Sequence, residues 1–159
     1  MSALADGDVI ERFYAAFARR DGDAMGRCYT PDIRFHDPAF GVLRDDEPGA
    51  MWRMLTGRAD DLEVRLREHA VEGDQGSAHW LADYTFSATG RPVHNDVQAR
   101  FRFRDGLICD HVDQFSFWAW SRQALGPAGL ALGWTPLLRA RVRREARAGL
   151  LAFRRTEPT

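Results

Sequence analysis

Lysine is absent from this chain: all 22 basic residues are arginine, a bias that points to GC-rich codons rather than to chemistry. Cysteine is scarce. Cys28 and Cys109 are the only two, too few for a disulfide framework. Both are expected as small, reduced core residues, Cys28 on an apolar helix face and Cys109 in a strand, with a bridge between them as the lesser alternative. No run approaches the ~20 apolar residues needed to cross a bilayer. Residues 1–8 lack the basic segment and apolar stretch of a signal peptide. A cytoplasmic protein without membrane association is therefore expected. The formal net charge of −1 gives no electrostatic reason to expect nucleic acid. No glycine-rich phosphate loop precedes a helix and no Gly-x-Ser-x-Gly elbow occurs. His36, His94 and His111 lack zinc-like spacing, so no metal is expected.

The 159 residues present suffice for one domain with a real core. Residues 8–20 place Val9, Phe13, Ala16 and Phe17 on one helical face. Asp23 is placed to cap a short second helix running to residue 29. Pro31 opens a short strand over 32–37, with Ile33, Phe35 and Asp37 on one side, which Pro38 and Gly41 end. Asp45, Asp46, Glu47 and Pro48 then open a third helix over 49–55.

From residue 62 the hydrophobic period changes from about 3.6 to 2. Segments 62–71, 77–87, 93–104 and 107–117 alternate apolar and polar residues. Glu72-Gly73-Asp74, Thr89-Gly90 and Asp105-Gly106 supply turn chemistry between them. Helices followed by a four-strand antiparallel meander make an α+β domain over residues 1–118. The charged alternate positions, Gln98, Arg100 and Arg102 among them, leave the outer sheet face to water or to a second subunit. Residues 119–159 form a helical extension. Its helix over 137–153 carries Leu138, Val142, Ala146, Leu150 and Phe153 as a stripe to pack on the domain, and solvates its arginines. A basic amphipathic helix of this kind also suits a membrane surface or an acidic partner, the lesser alternative here.

The run Tyr29-Thr30-Pro31-Asp32-Ile33-Arg34-Phe35-His36-Asp37-Pro38 resembles the aromatic-x-x-Asp-x-x-hydrophobic-x-Asp-Pro segment of ketosteroid isomerases and SnoaL-like proteins. A second stretch, Gly90-Arg91-Pro92 through Phe101-Arg102-Phe103-Arg104-Asp105-Gly106-Leu107-Ile108 to Asp110-His111-Val112-Asp113, is similar to the closing strands of SnoaL-like proteins. The resemblance implies the cone-shaped, curved-sheet fold of the nuclear transport factor 2-like superfamily, acting without a cofactor. It implies that Asp37 stands where the isomerases hold their general base. Asp113 matches the late acid of the SnoaL-type polyketide cyclases. Phe13 fits the oxyanion-tyrosine position better than Tyr14 one place on, and the second oxyanion acid falls on Ala99. The water-activating Asp–Arg–Asp set of limonene-type epoxide hydrolases is not cleanly present.

The strand pattern by itself puts Asp37 on an apolar face, and Cys109, His111, Asp113, Phe115 and Phe117 together on another. A carboxylate in apolar surroundings gains proton affinity and suits acid/base work. The bland alternatives are an Asp-Pro turn former for Asp37 and a structural His111–Asp113 bond. The expected ligand is a hydrophobic, carbonyl-containing small molecule. Tyr14, Phe17, Trp52, Trp80, Tyr84, Phe101 and Phe115 would line its pocket, with Asp37 as base and Asp113 with His111 as acid or orienting pair. A binding or dimerisation module without turnover is the other reading, and a homodimer through the outer sheet face is expected in either.

Overall fold

The computed structural model describes residues 3–58 and 60–158. Helix α1, Ala3–Ala18, buries Val9, Ile10, Phe13, Tyr14, Ala16 and Phe17, the stripe that a 3.6-residue period demands. It begins earlier than the apolar pattern signals and ends when Arg20 turns to a positive φ of 59°. Helix α2, Gly22–Gly26, is capped by Asp21 rather than Asp23. The Asp21 side chain accepts from the Ala24 amide at 3.0 Å, two residues ahead of expectation. A Cβ on Gly22 would stand 2.6 Å from the Cα of Arg53, so only glycine lets α2 approach the third helix.

Strand β1 runs Tyr29–Asp37 and ends before Pro38, as expected, although it begins earlier than the pattern signals. The chain turns back at Gly41, with a φ of 73°, into β2, Gly41–Arg44, which the sequence reading missed. Helix α3, Glu47–Arg58, follows. The meander is β3 (Glu63–Glu72), β4 (Gln75–Phe86), β5 (Arg91–Arg104) and β6 (Leu107–Gln114). Asp105 and Gly106 both take positive φ, 55° and 77°, as a tight hairpin turn requires. All six strands form one open sheet in the order β2-β1-β6-β5-β4-β3. The β1–β6 pair is parallel and the other four pairs are antiparallel. The four-strand meander is therefore extended by a fifth and a sixth strand.

One irregularity corrects a side-chain assignment. Phe103 pairs with Ile108 but Arg102 with Asp110, so Cys109 is the extra residue of a bulge. Ile108 takes the inner face. Cys109 is pushed half out, its thiol against the Arg102 carbonyl at 3.4 Å, while Cys28 is buried, and both thiols are free. His111 and Asp113 keep the inner face. Strand β6 stops at Gln114, so Phe115 lies beyond the strand. Phe117 opens α4, Phe117–Leu125, whose first turn Ser116 caps through the Ala119 amide at 3.1 Å.

Helices α5, Pro127–Leu132, and α6, Pro136–Thr156, complete the chain. Val93, Phe117, Trp120 and Ala124 form a second apolar cluster, against which Leu138 and Val142 of α6 pack. Leu150, Ala146 and Phe153 pack instead on the main core. Arg147 ties α6 to the β1–β2 turn, donating to the Phe40 carbonyl at 3.2 Å and the Val42 carbonyl at 2.9 Å. Tyr84 and Phe115 touch both clusters and mark their seam.

Candidate functional site

Parallel pairing of β1 with β6 sets Phe35 beside His111 and His36 beside Val112. The printed pairing ends there, and the next residues, Asp37 and Asp113, lie close enough for the Asp113 charge to act on Asp37. Both side chains face inward, 8% and 3% exposed. Two carboxyls thus sit close together on the concave face, with Ala99 of β5 paired to Asp113 on its other side.

Asp113 is the end of a hydrogen-bond chain. Trp52 of α3 donates its indole N–H to the Tyr29 hydroxyl at 2.9 Å, and that hydroxyl stands 2.7 Å from His111 Nδ1. His111 Nε2 is 2.9 Å from Asp113 Oδ1, which also receives the Trp80 indole N–H at 3.4 Å. The indole can only donate, so the Tyr29 hydroxyl accepts from Trp52, and the tautomer of His111 sets which group donates in the two bonds that follow. The imidazole is held in one orientation by Phe101, Phe35 and Phe13, with ring centroids at 4.6, 5.1 and 5.5 Å.

Asp37 has a different environment. Its Oδ1 accepts from the amides of Ala39 at 2.9 Å and Phe40 at 2.6 Å. Burial raises its proton affinity more than those two bonds lower it, and the Asp113 charge raises it further, so the carboxyl is pushed up to about 7. Arg143 of α6 opposes that rise weakly. Tyr84 is pushed up to about 12 by burial and by the Asp37 charge, against the bond it accepts from Trp120 at 2.9 Å. Tyr84 therefore links the neighbourhood of Asp37 to α4.

Tyr14 is the odd member. Its hydroxyl is buried without a hydrogen-bond partner among the described residues, and its pKa lies well above the ordinary value through burial and then the charge of Asp113. An unpaired buried hydroxyl costs on the order of 1–3 kcal/mol. Its ring packs on Trp80 at 5.8 Å and Phe101 at 6.4 Å.

Of the residues anticipated from sequence, Trp52 and Trp80 pack at a tilt against Phe17, with centroids 4.9 and 5.2 Å from it. Tyr84 and Phe115 lie at the seam under the C-terminal helices. Tyr29, which the sequence reading quoted only as the first residue of a motif, proves to connect Trp52 to His111. Parity gave no signal for it: the register shifts between Tyr29 and Arg34, and Pro31, in step with Tyr29 and Ile33, is exposed. Among the described residues, one surface recess of about 250 Å³ lies beside Arg12, Arg19, Arg27 and Cys28, and another of about 140 Å³ beside Asp6 and Phe103. Neither is lined by Asp37, His111 or Asp113.

An open, curved six-stranded sheet that buries polar groups beneath α1 and α3 defines a protein of the nuclear transport factor 2-like, cone-shaped class. The chain belongs to the SnoaL-like domain family, whose model matches residues 10–111. TsrD from Streptomyces laurentii is similar in structure, with 25% identity and a TM-score of 0.66, over 77% of this chain and 96% of that one. A hypothetical protein from Catenulispora acidiphila with a ketosteroid isomerase-like fold, in complex with trimethylamine, has 20% identity and a TM-score of 0.66 over 81% and 98%. IdmH, a putative polyketide cyclase from Streptomyces antibioticus, has 24% identity and a TM-score of 0.61 over 80% and 99%. No curated protein matches the sequence.

Proposed function

We propose that this SnoaL-like protein performs cofactor-free acid/base chemistry on a hydrophobic, carbonyl-containing small molecule, of the isomerase, cyclase or hydratase type. The observation that carries this reading is the pair of neighbouring buried carboxyls in unlike surroundings. Asp37 has its proton affinity raised to about 7 by burial, while Asp113 is bonded to His111 and Trp80. Two acids made unequal by their environments can divide the roles of base and acid. Asp37 would remove a proton next to the carbonyl. Tyr14, with its hydroxyl free to donate, would stabilise the oxygen on which negative charge develops. The His111–Asp113 pair would return the proton or hold the substrate. The ketosteroid isomerase-like and polyketide cyclase neighbours support the class of chemistry by analogy of fold.

A specific observation favours a second reading, a binding module without turnover. Asp37 Oδ1 already caps the turn at Ala39 and Phe40, a structural task for an Asp before Pro. The two readings separate on one experiment. Steroid enones, terpenoid ketones and aromatic polyketones are incubated with the protein in heavy water, and deuterium uptake beside the carbonyl is followed by mass spectrometry. Acid/base chemistry predicts uptake that Asp37→Asn reduces ~100-fold or more. Ligands that raise the melting temperature yet exchange equally in both proteins would establish the binding module.

A further inference from the structure

The six large apolar side chains most exposed among the described residues all lie in one stretch of chain. They are Trp118 (39%), Leu130 (54%), Leu132 (50%), Trp134 (69%), Leu137 (81%) and Leu151 (52%). The first five form one corner. Helix α5 is clamped on α4 at Gly129, where a Cβ would stand 1.8 Å from the Ser121 carbonyl oxygen. That clamp turns Leu130 and Leu132 outward. The Trp118 indole donates to the Leu130 carbonyl at 3.2 Å, and the Trp134 indole to the Ala131 carbonyl at 3.0 Å. Thr135 caps α6 through the Leu138 amide at 3.3 Å, which leaves Leu137 facing water at the helix start. The corner is therefore held in place by bonds that keep its apolar groups outside. The stripe that α6 packs on the domain, Leu138, Val142, Ala146, Leu150 and Phe153, is separate from it.

Charge follows the same division. Between Asp113 and Glu145 the sequence has no acidic residue. Residues 114–159 hold eight arginines and two glutamates, a formal charge of +6 in a chain whose total is −1, so residues 1–113 carry −7. Arg141 and Arg144 are exposed one to two turns beyond Leu137, and Arg122 lies over the Trp118 ring at 5.1 Å. Indole and leucine side chains ringed by arginine suit the boundary between lipid headgroups and acyl chains, where apolar groups insert and guanidinium groups meet phosphate. A second copy of the same surface would bring +6 against +6. No described helix is long and apolar enough to cross a membrane, so the contact is with its surface.

We propose that the corner formed by Trp118, Leu130, Leu132, Trp134 and Leu137 docks the protein on an anionic lipid surface, with the arginines of α6 beside the headgroups. This replaces the expectation of no membrane association. That expectation rested on the lack of a membrane-spanning run and on the packed stripe of α6, and did not foresee the exposed turn before it.

The full-length protein is sedimented with vesicles of equimolar phosphatidylglycerol and phosphatidylcholine, and with vesicles of phosphatidylcholine alone. Binding is expected to the first, roughly tenfold or more weaker to the second, and lost near about 0.5 M sodium chloride. Trp134→Ser with Leu137→Ser should weaken binding to anionic vesicles by roughly tenfold or more with the melting temperature unchanged, since both side chains are exposed. Arg141→Gln with Arg144→Gln should weaken it too and flatten its salt dependence. The proposal is overturned if anionic vesicles fail to bind the protein at low salt. It is equally overturned if the Trp134/Leu137 variant binds as before, or if that variant changes the oligomeric state in the absence of lipid, which would make the corner a protein contact.

Discussion

Asp37 is where stability and chemistry pull in opposite directions. The folded protein keeps the Asp37 proton up to about pH 7, whereas the ordinary carboxyl value is 3.8. Between those values the folded state binds the extra proton, so this group's contribution to stability falls as pH rises through the window. The destabilisation is complete above about pH 7, with an upper bound near ~4 kcal/mol. Asp37→Asn keeps an oxygen to accept from Ala39 and Phe40 and carries no charge. It should therefore be more stable than the parent at pH 8, by roughly 1–3 kcal/mol, and the gain should vanish by pH 4. Urea unfolding at the two pH values measures this. An equal effect at both would mean that the carboxyl is not desolvated.

The inward placement of Asp37, His111 and Asp113 was legible from strand parity, because each lies on a regular stretch of its strand. Cys109 was not. A bulge adds one residue without any mark in the alternation, and every parity argument that crosses it fails. The Tyr29 link escaped for a related reason. Its reach to His111 depends on a register irregularity between Tyr29 and Arg34, which no local pattern specifies.

At the scale of elements, the meander could be read because Asp105-Gly106, Gly73 and Gly90 punctuate clean alternation, and all of them take positive φ. Strand β2 could not, since Gly41–Arg44 is too short to show a period. Its pairing is supplied by β1 and by Arg147 of α6. Helix α6 offers an internal control on its own docking. Leu150 is 3% exposed and its neighbour Leu151 is 52% exposed. Leu150→Ala should cost about 2–5 kcal/mol in denaturant unfolding, and Leu151→Ala less than ~0.5 kcal/mol. Two silent substitutions would show that α6 does not stay on the core in solution.

For the whole molecule, the outer sheet face and the C-terminal corner make separate claims on partners. On the outer face Gln98, Arg100 and Arg102 of β5 alternate with the buried Val97, Ala99, Phe101 and Phe103. Across the β5–β6 pair they meet Gln114, Val112 and Asp110. Polar groups already pair on this face, Arg65 with Asp83 at 3.5 Å, His79 with Asp96 at 2.7 Å and His94 with Asp83 at 2.7 Å. A two-fold axis over such a surface can set its arginines against its acids, because an isologous contact pairs unlike residues about the axis. The expected species in light scattering at micromolar concentration is therefore twice the 18.0 kDa chain. Val112 lies between Arg100 and His36 in the pairing, near the middle of the sheet. Val112→Glu would force a longer, charged side chain into the centre of the contact and leave the isolated chain intact, so it should run as a monomer with a far-ultraviolet spectrum like the parent's. The Trp134/Leu137 variant should stay dimeric in the same experiment. A parent protein that scatters as a monomer, or a Val112→Glu variant that remains a dimer, removes the outer face as the contact.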